Sequence, residues 1–162
     1  MAMTAIGCAL LCAPPARAAT QVAQVNATVA KPLVLARVQD LDLGSITLNP
    51  GTWSGATVGI SRAGVFTCSN ANVTCSGATK VAKYNVQGSN NNVVRITAPN
   101  VTLINQSDST KTLILTVDAP ATVTLQNSGA PGLDFPIGGS ITVSSATTGG
   151  TYVGTFNVTV DY

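Results

Sequence analysis

The sequence has 162 residues, contains neither histidine nor glutamate, and carries a formal net charge of +2 from eight Lys and Arg residues against six Asp residues. Charges this few and this scattered exclude a nucleic-acid-binding protein, which needs a clustered basic face. Without histidine and glutamate, the common Ser-His-Asp, Cys-His and histidine-metal sites cannot be assembled. We therefore expect a protein that is not an enzyme and that binds no metal or cofactor.

Residues 1–18 have the composition of a secretory signal peptide. Residues 1–12 are small and apolar, and Ala16-Arg17-Ala18 before Ala19 fits a small-residue cleavage site. The apolar run is too short to span a bilayer as a helix. We therefore predict an exported protein that does not span a membrane.

Residues 19–31 are predicted to form an extended N-terminal arm, called the arm below. Polar and apolar residues alternate over residues 19–30, which is the period of a β-strand. One side carries Ala23, Val25, Ala27 and Val29, and the other carries Gln24, Asn26 and Thr28. Pro32 separates the arm from the next strand, because proline is not accommodated within a central ladder. The domain is therefore expected to cover residues 32–162.

This domain is predicted to be all-β. The sequence contains 22 Thr and 19 Val residues, so strand-forming residues are abundant while strong helix formers are scarce. Strands are predicted over residues 33–38, 40–48, 56–61, 64–69, 80–87, 93–98, 101–105, 112–118, 121–126, 140–144 and 151–162. Clusters of Gly, Asn, Ser and Pro separate them, and this spacing is typical of a β-sandwich or barrel.

Two cysteines lie outside the signal segment, and they are close in sequence. Cys68 and Cys75 bracket six residues rich in turn formers. Because an exported chain meets oxidising conditions, we predict a structural disulfide between them. A redox or metal site would need histidine or a second cysteine pair, which the mature sequence does not offer.

The last twelve residues, 151–162, are predicted to form one half-buried strand. Apolar residues occupy one face and polar residues alternate with them. The apolar face carries Tyr152, Phe156, Val158, Val160 and Tyr162. No strand follows this segment, so we expect its partners to come from earlier in the sequence or from another molecule.

These end segments resemble the chaperone-usher pilin superfamily. The resemblance rests on Gly149-Gly150-Thr151-Tyr152-x-Gly154-Thr155-Phe156-x-Val158-Thr159-Val160-x-Tyr162 and on Asp42-Leu43-Gly44-Ser45-Ile46 after an N-terminal arm. It is closest to the archaic, spore coat protein U-like branch and to a related proteobacterial secreted domain family of unknown function. The likeness covers about a third of the mature chain.

The resemblance implies an immunoglobulin-like (pilin-like) β-sandwich that lacks its final strand. In such pilins the last strand lines the resulting groove. The implied acceptor groove residues are Gly149, Tyr152, Phe156, Val158, Val160 and Tyr162. A periplasmic chaperone fills the groove first, and the arm of the next subunit replaces it at an outer-membrane usher. This sequence departs from the family in two ways: Tyr162 is last rather than next to last, and Cys68 and Cys75 enclose a local loop.

Physical chemistry supports the same interpretation of the arm. An uncovered apolar strand edge promotes aggregation, and an added strand supplies main-chain hydrogen bonds and side-chain contacts. We therefore expect Ala23, Val25, Ala27 and Val29 to be the donor-strand residues that enter the groove of a neighbouring copy.

Three functions remain open at this point. The first is a structural subunit of a secreted surface fibre, a pilus or a coat, assembled by donor-strand complementation. The second is a self-complemented monomeric adhesin or ligand-binding sandwich whose own arm fills the groove. The third, an outer-membrane barrel, is disfavoured because the aromatic residues are too few for two girdles and several strands are short.

Overall fold

The computed structural model describes residues 17–162. The predicted signal peptide therefore lies almost entirely outside the described residues. Over residues 17–162 the chain forms thirteen strands and no helix, so none of this part offers a helix that could cross a membrane. The prediction of an all-β protein is confirmed.

The strands are short apart from one, and every pairing between them is antiparallel. They are β1 (Val34–Gln39), β2 (Ser45–Leu48), β3 (Ala56–Ile60), β4 (Phe66–Thr67), β5 (Val73–Ser76), β6 (Ala82–Gln87), β7 (Val93–Thr97), β8 (Val101–Asn105), β9 (Thr112–Asp118), β10 (Thr122–Thr124), β11 (Leu133–Val143), β12 (Tyr152–Val153) and β13 (Thr159–Asp161). Many of their residues alternate between more and less buried positions, as a half-buried sheet requires.

Three sheets make up the β-sandwich. The largest has the order β1-β6-β11-β9-β8-β12, with β3 added to β11 and β4 to β3. The second has the order β10-β7-β13, and the third pairs β2 with β5. β11 is central to the largest sheet, because its first half pairs with β6 and its second half pairs with β3 and β9.

Two clusters of buried side chains lie between the sheets. The first contains Ala82, Val86, Val94, Ile96, Leu125, Phe135 and Ile137, from β6, β11, β7 and the residue after β10. The second contains Ala56, Val58, Val73, Leu115, Ile141 and Val143, from β3, β5, β9 and β11. Leu41, Val117 and Phe156 pack against both. Since each cluster draws on strands of two sheets, the apolar core is that of a sandwich.

Two strands, β11 and β5, go beyond the sequence-based prediction. β11 begins at Leu133, whereas the prediction covered only residues 140–144. The prediction was too short because proline and glycine, here Pro136, Gly138 and Gly139, are depleted in strands. β5 was not predicted at all. It lies among turn formers and becomes a strand by pairing with β2, where Ile46 stands opposite Cys75.

The disulfide between Cys68 and Cys75 is confirmed, with Cα atoms 6.3 Å apart. Cys68 follows β4 and Cys75 lies within β5, so the bond holds β5 beside the largest sheet. Closing a loop of eight residues stabilises a fold by about 2.5 kcal/mol on the chain-entropy model. Because β5 is the partner of β2, this bond also supports the position of β2.

The C-terminal segment is not one continuous strand, and this prediction was wrong. β12 pairs with β8 of the largest sheet, whereas β13 pairs with β7 of the second sheet. Residues 154–158 cross from one sheet to the other without joining a ladder. The predicted alternation of burial persists, since Phe156, Val158 and Val160 are half-buried and the residues between them are exposed.

Candidate functional site

A groove of about 860 Å³ opens along one side of the sandwich. One wall is formed by the segment from the end of β1 to the end of β2, and the other by residues 147–156, which include β12. The first wall carries Arg37, Asp40, Leu41, Leu43, Ile46 and Leu48, and the second carries Gly149, Tyr152, Gly154 and Phe156.

The floor of this groove is apolar. It is formed by Ala82, Tyr84, Leu103, Leu113, Leu115, Ile141 and Val143, which come from β6, β8, β9 and β11 of the largest sheet. Ala82, Leu115, Ile141 and Val143 belong to the buried core clusters, so the groove reaches the interior of the sandwich. An occupant would therefore extend the hydrophobic core.

Each wall contains strands that pair on one side only, and in the first wall Asp42 forms a bridge with Lys80. Among the described residues, β1 pairs with β6, β2 pairs with β5 and β12 pairs with β8, and no ladder joins one wall to the other. A strand edge in this state exposes a row of N–H and C=O groups that can accept another strand. Each wall therefore contains strand edges of the kind to which another strand can add.

The charges of the groove are confined to its first wall. Arg37 and Asp40 form an exposed ion pair with a nitrogen–oxygen distance of 2.6 Å. Asp42 accepts a hydrogen bond from the Gly44 N–H at 2.8 Å. Burial raises the pKa of the Tyr84 phenol, an effect that Arg37 opposes and Asp40 adds to. The phenol therefore stays neutral, and the floor offers no charge to an occupant.

Asn105 positions the second wall. The residue is 1% exposed, and its Nδ2 donates to the Gly149 carbonyl oxygen at 3.1 Å. Its Oδ1 accepts from the N–H groups of Ser107 and Asp108 at 2.8 and 3.2 Å. These bonds tie the turn before β12 to the loop after β8. In the sequence this residue begins only one of several Asn-x-Ser/Thr patterns, so no local signal distinguishes it.

Gly150, rather than its neighbour Gly149, is the glycine that the turn requires. Gly150 has a φ of +141°, and a Cβ built on it would lie 2.5 Å from the Asn105 Nδ2. Gly149 has no positive φ, and a Cβ at that position would meet no atom within 4 Å. The two neighbours therefore differ in both backbone strain and available space.

Replacing Gly150 with alanine is expected to lower the free energy of unfolding by roughly 1–3 kcal/mol, because alanine is strained at this φ and its Cβ displaces Asn105. Urea-induced unfolding followed by circular dichroism measures this change. Gly149→Ala is the matched control and is expected to cost less than about 0.5 kcal/mol. Equal losses in the two variants would show that Gly150 and Asn105 do not position this wall.

Of the six predicted groove residues, the structure places three in the groove and three elsewhere. Gly149, Tyr152 and Phe156 line the groove. Val158 and Val160 pack against the first core cluster instead. Tyr162 is 45% exposed and lies outside the groove lining. The first wall was not predicted as part of the site, although its alternating leucines and Ile46 were recognised as a strand pattern.

The arm lies outside its own domain. Every residue from Arg17 to Pro32 is exposed, and this segment has no regular secondary structure. Val25 is 91% and Val29 is 89% exposed, and Ala23 and Ala27 are exposed with them. Between Arg17 and Ala30 the chain makes no hydrogen bond to the other described residues. The structure therefore does not bring the four predicted donor residues to the groove of the same molecule.

Comparison with known proteins identifies one family. The model of a Domain of unknown function (DUF4402) matches residues 33–162, which is the sandwich without the arm. No curated protein and no solved structure matches the chain. The resemblance is thus supported at the level of a domain family of unknown function, and no pilin or chaperone-usher family is shown.

Proposed function

The chain belongs to the DUF4402 family, and on that premise we propose that it is a structural subunit of a secreted surface fibre, in which the arm of one copy fills the groove of the next. One observation carries the proposal. The same molecule has an uncovered apolar groove between unpaired strand edges and an uncovered strand-like arm that does not enter it.

The chemistry of the arm fits the groove. Residues 19–30 contain no charged side chain, and the groove floor contains none either. An alternating Ala and Val face would add to the apolar floor while the arm backbone pairs with the free edges, which is the usual energetics of strand addition. Twelve extended residues span about 40 Å, which exceeds the roughly 26 Å of the eight-residue segment 41–48. The arm is therefore long enough to fill the groove.

The positions of the arm and the groove favour a linear assembly. The arm leaves the domain just before the start of β1, whereas the groove begins beside Arg37 and continues past the end of β1 to Leu48. Donor and acceptor regions are thus different surfaces. A contact between two different surfaces is heterologous and generates an open chain when the rotation between copies does not close a ring.

An unassembled subunit would expose the groove to solvent. Uncovered apolar edges of this kind aggregate unless something covers them. The proposal therefore includes a periplasmic chaperone that occupies the groove and an outer-membrane usher that exchanges the chaperone for an arm. It also includes export to the cell surface. These partners enter by resemblance and by this physical requirement.

The proposal is tested by removing the arm and supplying it again as a peptide. The fragment 19–162 is expected to form concentration-dependent multimers in sedimentation velocity, and the fragment lacking residues 19–30 is expected to remain monomeric. A saturating peptide of residues 19–30 should then raise the midpoint of thermal unfolding of the truncated protein by roughly 5–10 °C, because it binds only the folded state.

A peptide of the same composition in scrambled order is the control and should give no shift. The proposal fails if fragment 19–162 is monomeric at all concentrations and deletion of the arm alone lowers its unfolding temperature. That result would identify a self-complemented secreted module, whose arm occupies its own groove.

A further inference from the structure

The arm is attached to the domain at one point, Lys31. Its N–H donates to the Ser89 Oγ at 2.6 Å, and its carbonyl oxygen accepts from the Tyr162 hydroxyl at 2.6 Å. The same hydroxyl accepts from the Ser89 N–H at 2.8 Å. Lys31 Nζ also donates to the Ser128 carbonyl oxygen at 3.3 Å. The tyrosine hydroxyl thus connects the base of the arm to the loop after β6.

The domain leaves space for this tyrosine. Gly88 is buried beside it, and a Cβ at that position would lie 2.5 Å from the Tyr162 Oη and 2.9 Å from a Leu33 methyl group. The phenol therefore lies directly against the backbone of residue 88. None of these residues lines the groove, so the contact belongs to a different region of the surface.

This contact restricts where the arm can go. Because the groove begins beside Arg37 and continues past the end of β1, an arm that entered its own groove would have to turn back along β1. Leu33 packs against the first core cluster, and Pro32 restricts Lys31 to an extended backbone conformation. The Tyr162 hydrogen bond then fixes the carbonyl of Lys31. With both sides held, the backbone at Lys31 does not make this turn, and residues 17–30 are exposed.

We propose that Tyr162 is a positioning residue that selects donation of the arm to a neighbour over closure on its own groove. This inference rests on the proposed function. It adds the residue that determines whether the arm enters the groove of a neighbour or its own groove. Loss of the hydroxyl removes its bonds to the Lys31 carbonyl oxygen and to the Ser89 N–H. Lys31 then keeps only its bonds to the Ser89 Oγ and to Ser128, so its backbone turns back toward the groove more readily. A phenylalanine ring can occupy the position of the Tyr162 ring in the folded domain.

Disulfide trapping tests this inference. In fragment 19–162, Val25→Cys on the arm is combined with Leu43→Cys on the groove wall, and the protein is oxidised mildly at low micromolar concentration. Non-reducing electrophoresis separates the cross-linked monomer, formed within one molecule, from cross-linked multimers. Adding Tyr162→Phe should raise the ratio of intramolecular to intermolecular cross-links about fivefold, the change expected for one net hydrogen bond.

Two further variants make the test specific. Ser89→Ala removes the acceptor of the Lys31 N–H and should shift the ratio in the same direction, so it decides the outcome if Tyr162→Phe does not fold. Lys31→Met keeps both backbone bonds and loses only the bond to Ser128, and it should leave the ratio unchanged. Thermal unfolding of each variant establishes that the domain is folded.

Failure of this inference is distinguishable from failure of the proposed function. If Tyr162→Phe and Ser89→Ala still form intermolecular cross-links and the ratio of intramolecular to intermolecular cross-links is unchanged, the role of Tyr162 is overturned. The proposed function as a fibre subunit is then unaffected. An equal shift in Lys31→Met would also overturn it. Absence of intermolecular cross-links in the otherwise unaltered protein would overturn the proposed function, and this inference with it.

Discussion

Replacing Val25 with aspartate is expected to raise the concentration needed for assembly at least about a hundredfold, without changing the stability of the monomer. Val25 is 91% exposed in the free subunit, so the monomer loses no packing. In the assembled state the new carboxylate would enter an apolar floor that offers it no partner. Losing the valine contact and desolvating an unpaired charge together cost several kcal/mol. Sedimentation velocity over a concentration series measures the effect.

The adjacent residue provides a matched control. Asn26→Asp introduces the same charge one position along the arm, and Asn26 is also exposed in the free subunit. In an inserted strand residue 26 faces away from the floor, so the expected change in assembly is less than about threefold, the size of an exposed charge effect. Equal loss of assembly in both variants would contradict insertion with Val25 toward the core.

Replacing Phe135 with alanine is expected to lower the free energy of unfolding by about 3–5 kcal/mol. Phe135 is 2% exposed within the first core cluster, and its ring stacks on Tyr84 with centroids 5.8 Å apart. Tyr84 lines the groove, and its ring centroid lies 6.4 Å from that of Phe156. The cavity left by the substitution removes support from the groove floor, so affinity for the arm peptide should fall as well.

Urea unfolding of the subunit lacking the arm measures this loss without a contribution from assembly. Ile114→Ala is the control, because Ile114 is 55% exposed on a neighbouring strand of the same sheet. It should cost less than about 1 kcal/mol. A small loss of unfolding free energy in Phe135→Ala would show that the core repacks around the missing ring. It would also show that the position of Tyr84 does not depend on Phe135.

Much of the fold was predictable because alternation is a local property. The predicted bounds 101–105 and 112–118 are those of β8 and β9. The same alternation did not identify β5, whose residues become a strand only through their pairing with β2. The predicted strand in the region of β11 was also too short, because a proline within a strand usually indicates an edge. In the structure Pro136 stands opposite Lys83 within a ladder.

The candidate site was predictable only in part. The arm and the second wall carry alternating patterns at the two ends of the sequence, whereas Gly149, Tyr152 and Phe156 were implied as groove residues by the family resemblance. Asn105 was not, because an asparagine that is buried and bonded to Gly149 has the same local sequence context as an exposed one. Its role depends on a segment 44 residues away.

Local sequence patterns establish that this protein is all-β and that Cys68 and Cys75 are joined, because strand period and cysteine spacing act over a few residues. They also predict an arm over residues 19–31, since Pro32 interrupts the strand pattern. Which strand edges remain unpaired, and therefore where the groove lies, depends on pairings between strands far apart in the chain. The contact between Tyr162 and Lys31 likewise joins residues 131 positions apart. A local pattern shows that a segment is a strand, but it does not show which neighbouring strand is missing.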